Sequence, residues 1–289
     1  MNNLVKITAF VLGILAMNIQ AEERVRAFMQ AKPTPTDAVP YGNNIKAGKT
    51  VLAGDAKIYY EVYGNGAPVV ILHGGGVGST IEMAGFIDKL KLTNKVIAIS
   101  TRGHGRSEIG HSQVTYDQKA NDVKAVLDDA GIDSATVIGF SDGAYTGYKV
   151  ASLYPNRVNK LVAIGAGEQK PGLRQVNLDL TAMESLDPGF IAQQKLLMPE
   201  PERWQEYWAN LEHFYNTMVA SKELFMSIQC PVLVVSGERD GNAPLATVIA
   251  AYQMIPDSQL AIIPNAGHVV FAENFAAVWA SMEPFLVTE

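Results

Sequence analysis

The chain alternates short apolar runs with amphipathic stretches. Residues 69–72, 96–99, 135–138, 158–164, 232–236 and 260–263 are largely or continuously apolar, the pattern of strands buried on both faces. Residues 57–63 alternate and are rich in β-formers, which predicts an earlier strand ending at the Gly64-Asn65-Gly66 turn. Residues 117–130 carry Ala120, Val123, Val126 and Leu127 at helical spacing and stop near Gly131. A second helix opens at Gly143, runs through Leu153 and is ended by Pro155; further helices are expected over 245–255 and 273–285. Strands alternating with helices predict an α/β protein, a mostly parallel, doubly wound sheet covered on both faces.

Between 167 and 227 the rhythm stops. This stretch holds helical pieces, several prolines and the aromatics Phe190, Trp204, Tyr207, Trp208, Phe214, Tyr215 and Phe225. It reads as an inserted helical cap whose aromatics pack internally and onto the core, with one or two left to face a pocket. The expected core is therefore 51–166 plus 228–289, with the cap at 167–227. Ahead of it, 22–50 is punctuated by Pro and Gly and reads as an extended arm.

The first residues form a separate unit. Residues 1–6 are weakly positive, 7–17 are almost unbroken apolar, and 18–21 precede Glu22-Glu23. The apolar run falls short of the roughly 20 residues that span a bilayer. It predicts a secretory signal over 1–21, cleaved after Ala21, and an exported, periplasmic or secreted chain with no stable membrane insertion of its mature form. Cys230 is the only cysteine, so no internal disulfide is expected; it reads as a small buried hydrophobe. A formal charge of −6 without a basic run excludes a nucleic-acid partner, because phosphate binding needs clustered Lys and Arg.

The chemistry centres on Gly139-Phe140-Ser141-Asp142-Gly143, a G-x-S-x-G between a predicted strand and a predicted helix. A serine on so tight a turn projects its hydroxyl outward, and the glycines two before and two after remove bulk where backbone approaches backbone. Acyl transfer through serine also needs a base, an acid that orients the base, and donors for the oxyanion. In a parallel sheet these groups belong past the carboxyl ends of strands. The strand at 232–236 is followed by Gly237-Glu238-Arg239-Asp240, and the strand at 260–263 by Pro264-Asn265-Ala266-Gly267-His268. Asp240 is the expected acid, preferred over Glu238, which lies closer to the strand end, and His268 is the expected base. The strand at 69–72 leads into His73-Gly74-Gly75-Gly76, so the N–H groups of Gly75 and Asp142 are the expected oxyanion donors. His73 is expected to support that loop from beneath. The five histidines show no tight ligand spacing, and neither a metal nor a cofactor is expected.

Taken together, His73 to Gly76, Arg102-Gly103-His104-Gly105-Arg106-Ser107, the elbow, the Gly237 to Asp240 loop and Gly267-His268 resemble the α/β-hydrolase superfamily over roughly residues 55–289. The resemblance implies the α/β-hydrolase fold and makes Arg102 to Ser107 a structural turn. The elbow, with Asp after Ser, is similar to that of valacyclovirase-like (biphenyl-hydrolase-like) enzymes, in which an acidic pocket helps bind the amino group of an α-amino-acid ester. That makes Asp142 a candidate substrate-binding residue as well: a carboxylate beside developing negative charge wants a cation, and a substrate ammonium would supply one. Acidic residues outnumber basic ones in the cap, which disfavours anionic substrates. The expected function is hydrolysis of a small carboxylic ester, with the amino-acid ester as a narrower option. A carbon–carbon bond hydrolase, acyltransferase or perhydrolase using the same triad, and a non-catalytic binding protein, are the alternatives.

Overall fold

The computed structural model describes residues 25–287; the expected signal segment and its cleavage point lie outside them. The apolar runs become strands whose two faces feed two separate cores. β3 (Ala67–Leu72), β4 (Asn94–Ile99), β5 (Ala135–Phe140), β6 (Val158–Ile164), β7 (Val232–Gly237) and β8 (Ser258–Ile263) are parallel throughout. Because successive side chains point to opposite faces, Val70 and Leu72 join one core with Val123, Leu127 and Tyr148. Val69 and Ile71 join the other, with Phe86, Ile87 and Met282. A continuous apolar run is what such a strand requires. Helices α2 (Tyr116–Asp129), α3 (Asp142–Leu153) and α8 (Leu245–Met254) supply the first core. The second draws on α1 (Ala84–Leu90) and α9 (Val270–Val287).

Two antiparallel strands complete the eight-stranded sheet, whose order is β1-β2-β4-β3-β5-β6-β7-β8. β2 (Ala56–Tyr63) pairs with β4, and β1 (Gly48–Ala53) pairs with β2 at the edge. Here the structure corrects the sequence reading, which left residues 48–50 in the arm. β1 buries only Ala53 fully, so it has no apolar run to announce it; backbone pairing with β2 makes it a strand. Helix α1 was also unforeseen: its seven residues bury Phe86, Ile87 and Leu90 but are too few for a clear period. The closing helix is kinked at Asn274 (φ −148°, ψ 70°). Its side-chain oxygen accepts from the N–H of Ala277 at 3.1 Å, so a helix cap sits where the expected helix began.

Four helices lie between β6 and β7: α4 (Leu180–Leu186), α5 (Pro188–Leu197), α6 (Trp204–Thr217) and α7 (Lys222–Met226). The backbones of Gln169 and Ala220 exchange hydrogen bonds of 2.8 and 2.7 Å, which ties the two ends of this excursion together. Six of its seven singled-out aromatics are buried, and Tyr215 is half-buried. The arm packs against the same helices. Arg26 makes a two-pronged contact with Asp187 (3.0 and 2.9 Å), and the carboxylate of Asp187 also accepts from the N–H groups of Met29 and Phe190. One side chain thus caps α5 and anchors the arm. Among the described residues, no helix is long and apolar enough to cross a membrane.

Candidate active site

Every sequence-predicted group arrives at the carboxyl end of a parallel strand: Gly75 after β3, Ser141 after β5, Asp240 after β7 and His268 after β8. Ser141 has φ 51° and ψ −114°, a left-handed conformation that costs a non-glycine residue about 1–3 kcal/mol unless its surroundings hold it. They do. Its N–H donates to Ile164 O at 2.7 Å, and its carbonyl accepts from the N–H groups of Ala144 and Tyr145. The flanking glycines are sterically required. A Cβ on Gly139 would lie 2.3 Å from Gly143 O, and one on Gly143 would lie 2.5 Å from Leu72 O.

The acid and histidine loops meet through a third close approach. A Cβ on Gly237 would lie 2.2 Å from Gly267 O, so glycine lets the two loops touch. His268 then lies between its partners. Its Nδ1 is 2.9 and 2.8 Å from the carboxylate oxygens of Asp240, and its Nε2 is 3.0 Å from Ser141 Oγ. The carboxylate takes the Nδ1–H, which leaves the Nε2 lone pair facing the serine hydroxyl. Asp240 is buried, and its Oδ1 also accepts from the N–H groups of Asn242 and Ala243 at 2.8 Å each. Glu238 is exposed and accepts from the N–H of Asn265 instead.

Gly75, Ser141, Asp142 and His268 line one cavity of about 520 Å³, within the usual range for a small-molecule pocket. Its remaining wall is largely apolar and comes from the core through Tyr145 and from the cap region through Leu178, Met183, Trp208, Tyr215 and Met218. The N–H groups of Gly75 and Asp142 find no acceptor among the described residues. For Asp142 this follows from its place as the first residue of α3. His73 sits beneath the loop, where its Nδ1–H donates to Gly74 O at 2.6 Å and its Nε2 accepts from the N–H of Thr101 at 3.0 Å. Burial lowers its pKa to about 4, so it is a neutral support. Arg102 is equally structural, forked onto Asp122 with a further bond to Asp55.

Asp142 is where the structure departs from expectation. Its carboxylate is 2% exposed and bonded internally, to Lys119 Nζ at 2.5 Å and Tyr116 Oη at 3.1 Å. Burial alone would raise its pKa; the Lys119 charge and hydrogen bond outweigh burial and hold it below the ordinary carboxylate value. The cation sought in a substrate is therefore Lys119, itself 3% exposed and flanked by the rings of Tyr116 and Phe214. Sequence reasoning passed over it. The signal was present, because Tyr116, Lys119, Ala120 and Val123 share one stripe of α2, and a lysine inside an apolar stripe needs a buried partner.

Two more cavity residues were not singled out. Arg174 lines the pocket from the cap side and donates to Asn242 O. Glu82 holds the oxyanion loop by accepting from the N–H of Gly74 at 2.6 Å. Burial, only partly offset by the N–H groups of Gly74 and Ser79, raises the Glu82 pKa from 4.5 to about 7. Between those values the folded chain keeps a proton that the unfolded chain has released, so stability falls as pH rises. Glu82→Gln removes that loss. Its Tm advantage over wild type should grow from about pH 5 to about pH 8 in calorimetry; a constant difference would show that Glu82 does not titrate this way.

Residues 67–200 match a family model described as the alpha/beta hydrolase fold. A hydrolase of 2-hydroxy-6-oxo-6-(2'-aminophenyl)hexa-2,4-dienoic acid from Metapseudomonas resinovorans is 26% identical, across 78% of this chain and 85% of that protein. Serine hydrolase BPHL of Homo sapiens is 25% identical, across 84% of this chain and 88% of that protein. A serine hydrolase involved in carbazole degradation, the CarC enzyme, superposes with a TM-score of 0.70 at 23% identity, covering 83% of this chain and 98% of its own. Strand order, family match and solved structure agree on one placement: the chain has the alpha/beta hydrolase fold.

Proposed function

We propose that the chain hydrolyses small carboxylic esters through an acyl-enzyme on Ser141. The observation that carries this reading is the hydrogen-bonded series Asp240–His268–Ser141, ending on the floor of the cavity beside Gly75 and Asp142. In the first step Ser141 Oγ bonds the carbonyl carbon and gives its proton to His268 Nε2. Asp240 stabilises the resulting imidazolium, and the carbonyl oxygen takes the negative charge toward the N–H groups of Gly75 and Asp142. Collapse breaks the ester C–O bond, and His268 returns the proton to the departing alkoxide. Water then repeats the sequence on the acyl-serine, delivering a proton to His268 and releasing the acid. The test is turnover of short p-nitrophenyl esters together with fluorophosphonate labelling that vanishes in Ser141→Ala. Absence of both leaves the chain a binding protein.

Carbon–carbon hydrolysis is the second reading, and Arg174 favours it. A guanidinium in the cavity wall suits a substrate carboxylate, whatever the net charge of the cap, and the Metapseudomonas resinovorans relative is named for a dienoic acid. Turnover of a 2-hydroxy-6-oxo-dienoate that exceeds turnover of every plain ester would make this the primary reaction. Export is part of the same proposal. The residues just past the expected cleavage point are integrated in the fold, with Val25 buried and Arg26 held by Asp187. The mass of the chain recovered from a bacterial periplasm should correspond to a start at Glu22; a full-length mass would overturn cleavage.

A further inference from the structure

Among the buried polar groups of the cap that lack a partner in the described residues, Trp208 Nε1 and Arg174 Nε included, Tyr215 Oη is the one set against Gly75. Tyr215, on α6, lines the same cavity as Ser141 and His268. Its Oη is buried, with the Asp142 carboxylate as a neighbour, and makes no hydrogen bond of good geometry among the described residues. It also presses directly on the oxyanion loop. A Cβ built on Gly75 would fall 1.9 Å from Tyr215 Oη and 2.9 Å from Asp142 Cβ. A Cα–Cβ bond is about 1.5 Å, as for other carbon–carbon bonds of the chain. The hydroxyl therefore stands within about 3.4 Å of Gly75 Cα, beside one of the two residues whose N–H groups would receive the oxyanion.

The nearest strong acceptor, the Asp142 carboxylate, is oriented by Lys119 Nζ and Tyr116 Oη and offers Tyr215 Oη no well-aligned bond. Burial first, then the negative charge of Asp142 and the closeness of its carboxylate to the hydroxyl, push the Tyr215 pKa well above 10, so the hydroxyl keeps its proton. A buried hydroxyl without a well-formed hydrogen bond is destabilising. A substrate carbonyl between Ser141 and Gly75 would bring the missing acceptor.

We propose that Tyr215 Oη–H is a third donor of the oxyanion site, bonding the carbonyl-derived oxygen alongside the N–H groups of Gly75 and Asp142. This assignment rests on the acyl-transfer reading above. It makes Tyr215 a catalytic residue supplied by the cap, so the oxyanion site is complete only when α6 is seated on the core. Enclosing the substrate and stabilising its transition state then become one event. It also gives Gly75 a second reason to be glycine, since any side chain there would displace the hydroxyl.

The experiment compares wild type with Tyr215→Phe on one p-nitrophenyl ester and on an alkyl trifluoromethyl ketone, which adds to Ser141 and leaves an oxyanion. Expected are a kcat lower by about 10- to 100-fold with KM changed less than about threefold. Affinity for the ketone should fall by the same factor as kcat/KM. The Tm should hold or rise, because losing this hydroxyl breaks no well-formed hydrogen bond. Wild-type turnover with an unchanged kcat in Tyr215→Phe overturns this assignment alone. So does a loss confined to KM, or a fall in Tm, either of which marks a packing role. No turnover by wild type on any ester overturns the acyl-transfer reading, and this assignment with it.

Discussion

Ser141→Ala should lower kcat by about 10⁴- to 10⁶-fold while leaving the fold intact. The hydroxyl is the only group lost, its single side-chain partner among the described residues is His268 Nε2, and the strained backbone is held by main-chain bonds that alanine keeps. His268→Ala should cost a similar amount, because without the imidazole nothing takes the proton and Oγ remains a weak nucleophile. Asp240→Asn should cost about 10⁴-fold. An amide would offer its NH₂ to Nδ1, shift the proton to Nε2 and turn the ring into a donor toward the serine. The three losses share one step and do not add. The Ser141→Ala/His268→Ala double variant should therefore match the single ones within about tenfold. Single-turnover kinetics and fluorophosphonate labelling measure this directly. A double loss equal to the product of the single losses would show that the groups act independently, against the relay.

The parts of this site that could be read from sequence were those bound to strand ends. Ser141, Asp240 and His268 each follow a strand, so a parallel sheet brings them to one edge, and the pattern that reveals the strands also reveals the site. Gly139 and Gly143 were legible for a steric reason, now visible as Cβ positions that would overlap the backbone of β3 and α3. For Lys119 only the need of a buried partner was legible, and the roles of Glu82 and Tyr215 were not. Each acts through a contact between elements far apart in the chain: α2 with α3, α1's approach with the oxyanion loop, α6 with Gly75. Periodicity says which face of a helix is buried; it does not say which polar group waits on the other side. β1 escaped notice for a related reason, since its order comes from pairing with β2 rather than from burial.

Lys119→Met should destabilise the chain by about 3–5 kcal/mol, a fall in Tm of roughly 10 °C. Methionine keeps the apolar stem that packs near the rings of Tyr116 and Phe214. What it removes is the charge facing Asp142, leaving the carboxylate, 2% exposed, to neutral hydroxyl donors such as Tyr116 Oη. The pH dependence has a definite sign. Pairing holds the Asp142 pKa below its usual 3.8, so the pair's contribution is present at neutral pH and is lost as pH falls below that value through the folded pKa. The Tm gap between wild type and Lys119→Met should therefore close in acid. Catalysis should suffer as well, because the freed negative charge stands next to the N–H proposed to receive the oxyanion. Asp142→Asn in the Lys119→Met background removes that charge and should recover most of both losses, whereas Asp142→Asn alone strands the lysine and should destabilise on its own. The same double variant decides whether Asp142 selects amino-acid esters. With its charge committed to Lys119, the ratio of aminoacyl to plain acyl ester turnover should match wild type. A ratio that collapses in the double variant would mean that a substrate ammonium, and not only Lys119, shares that carboxylate.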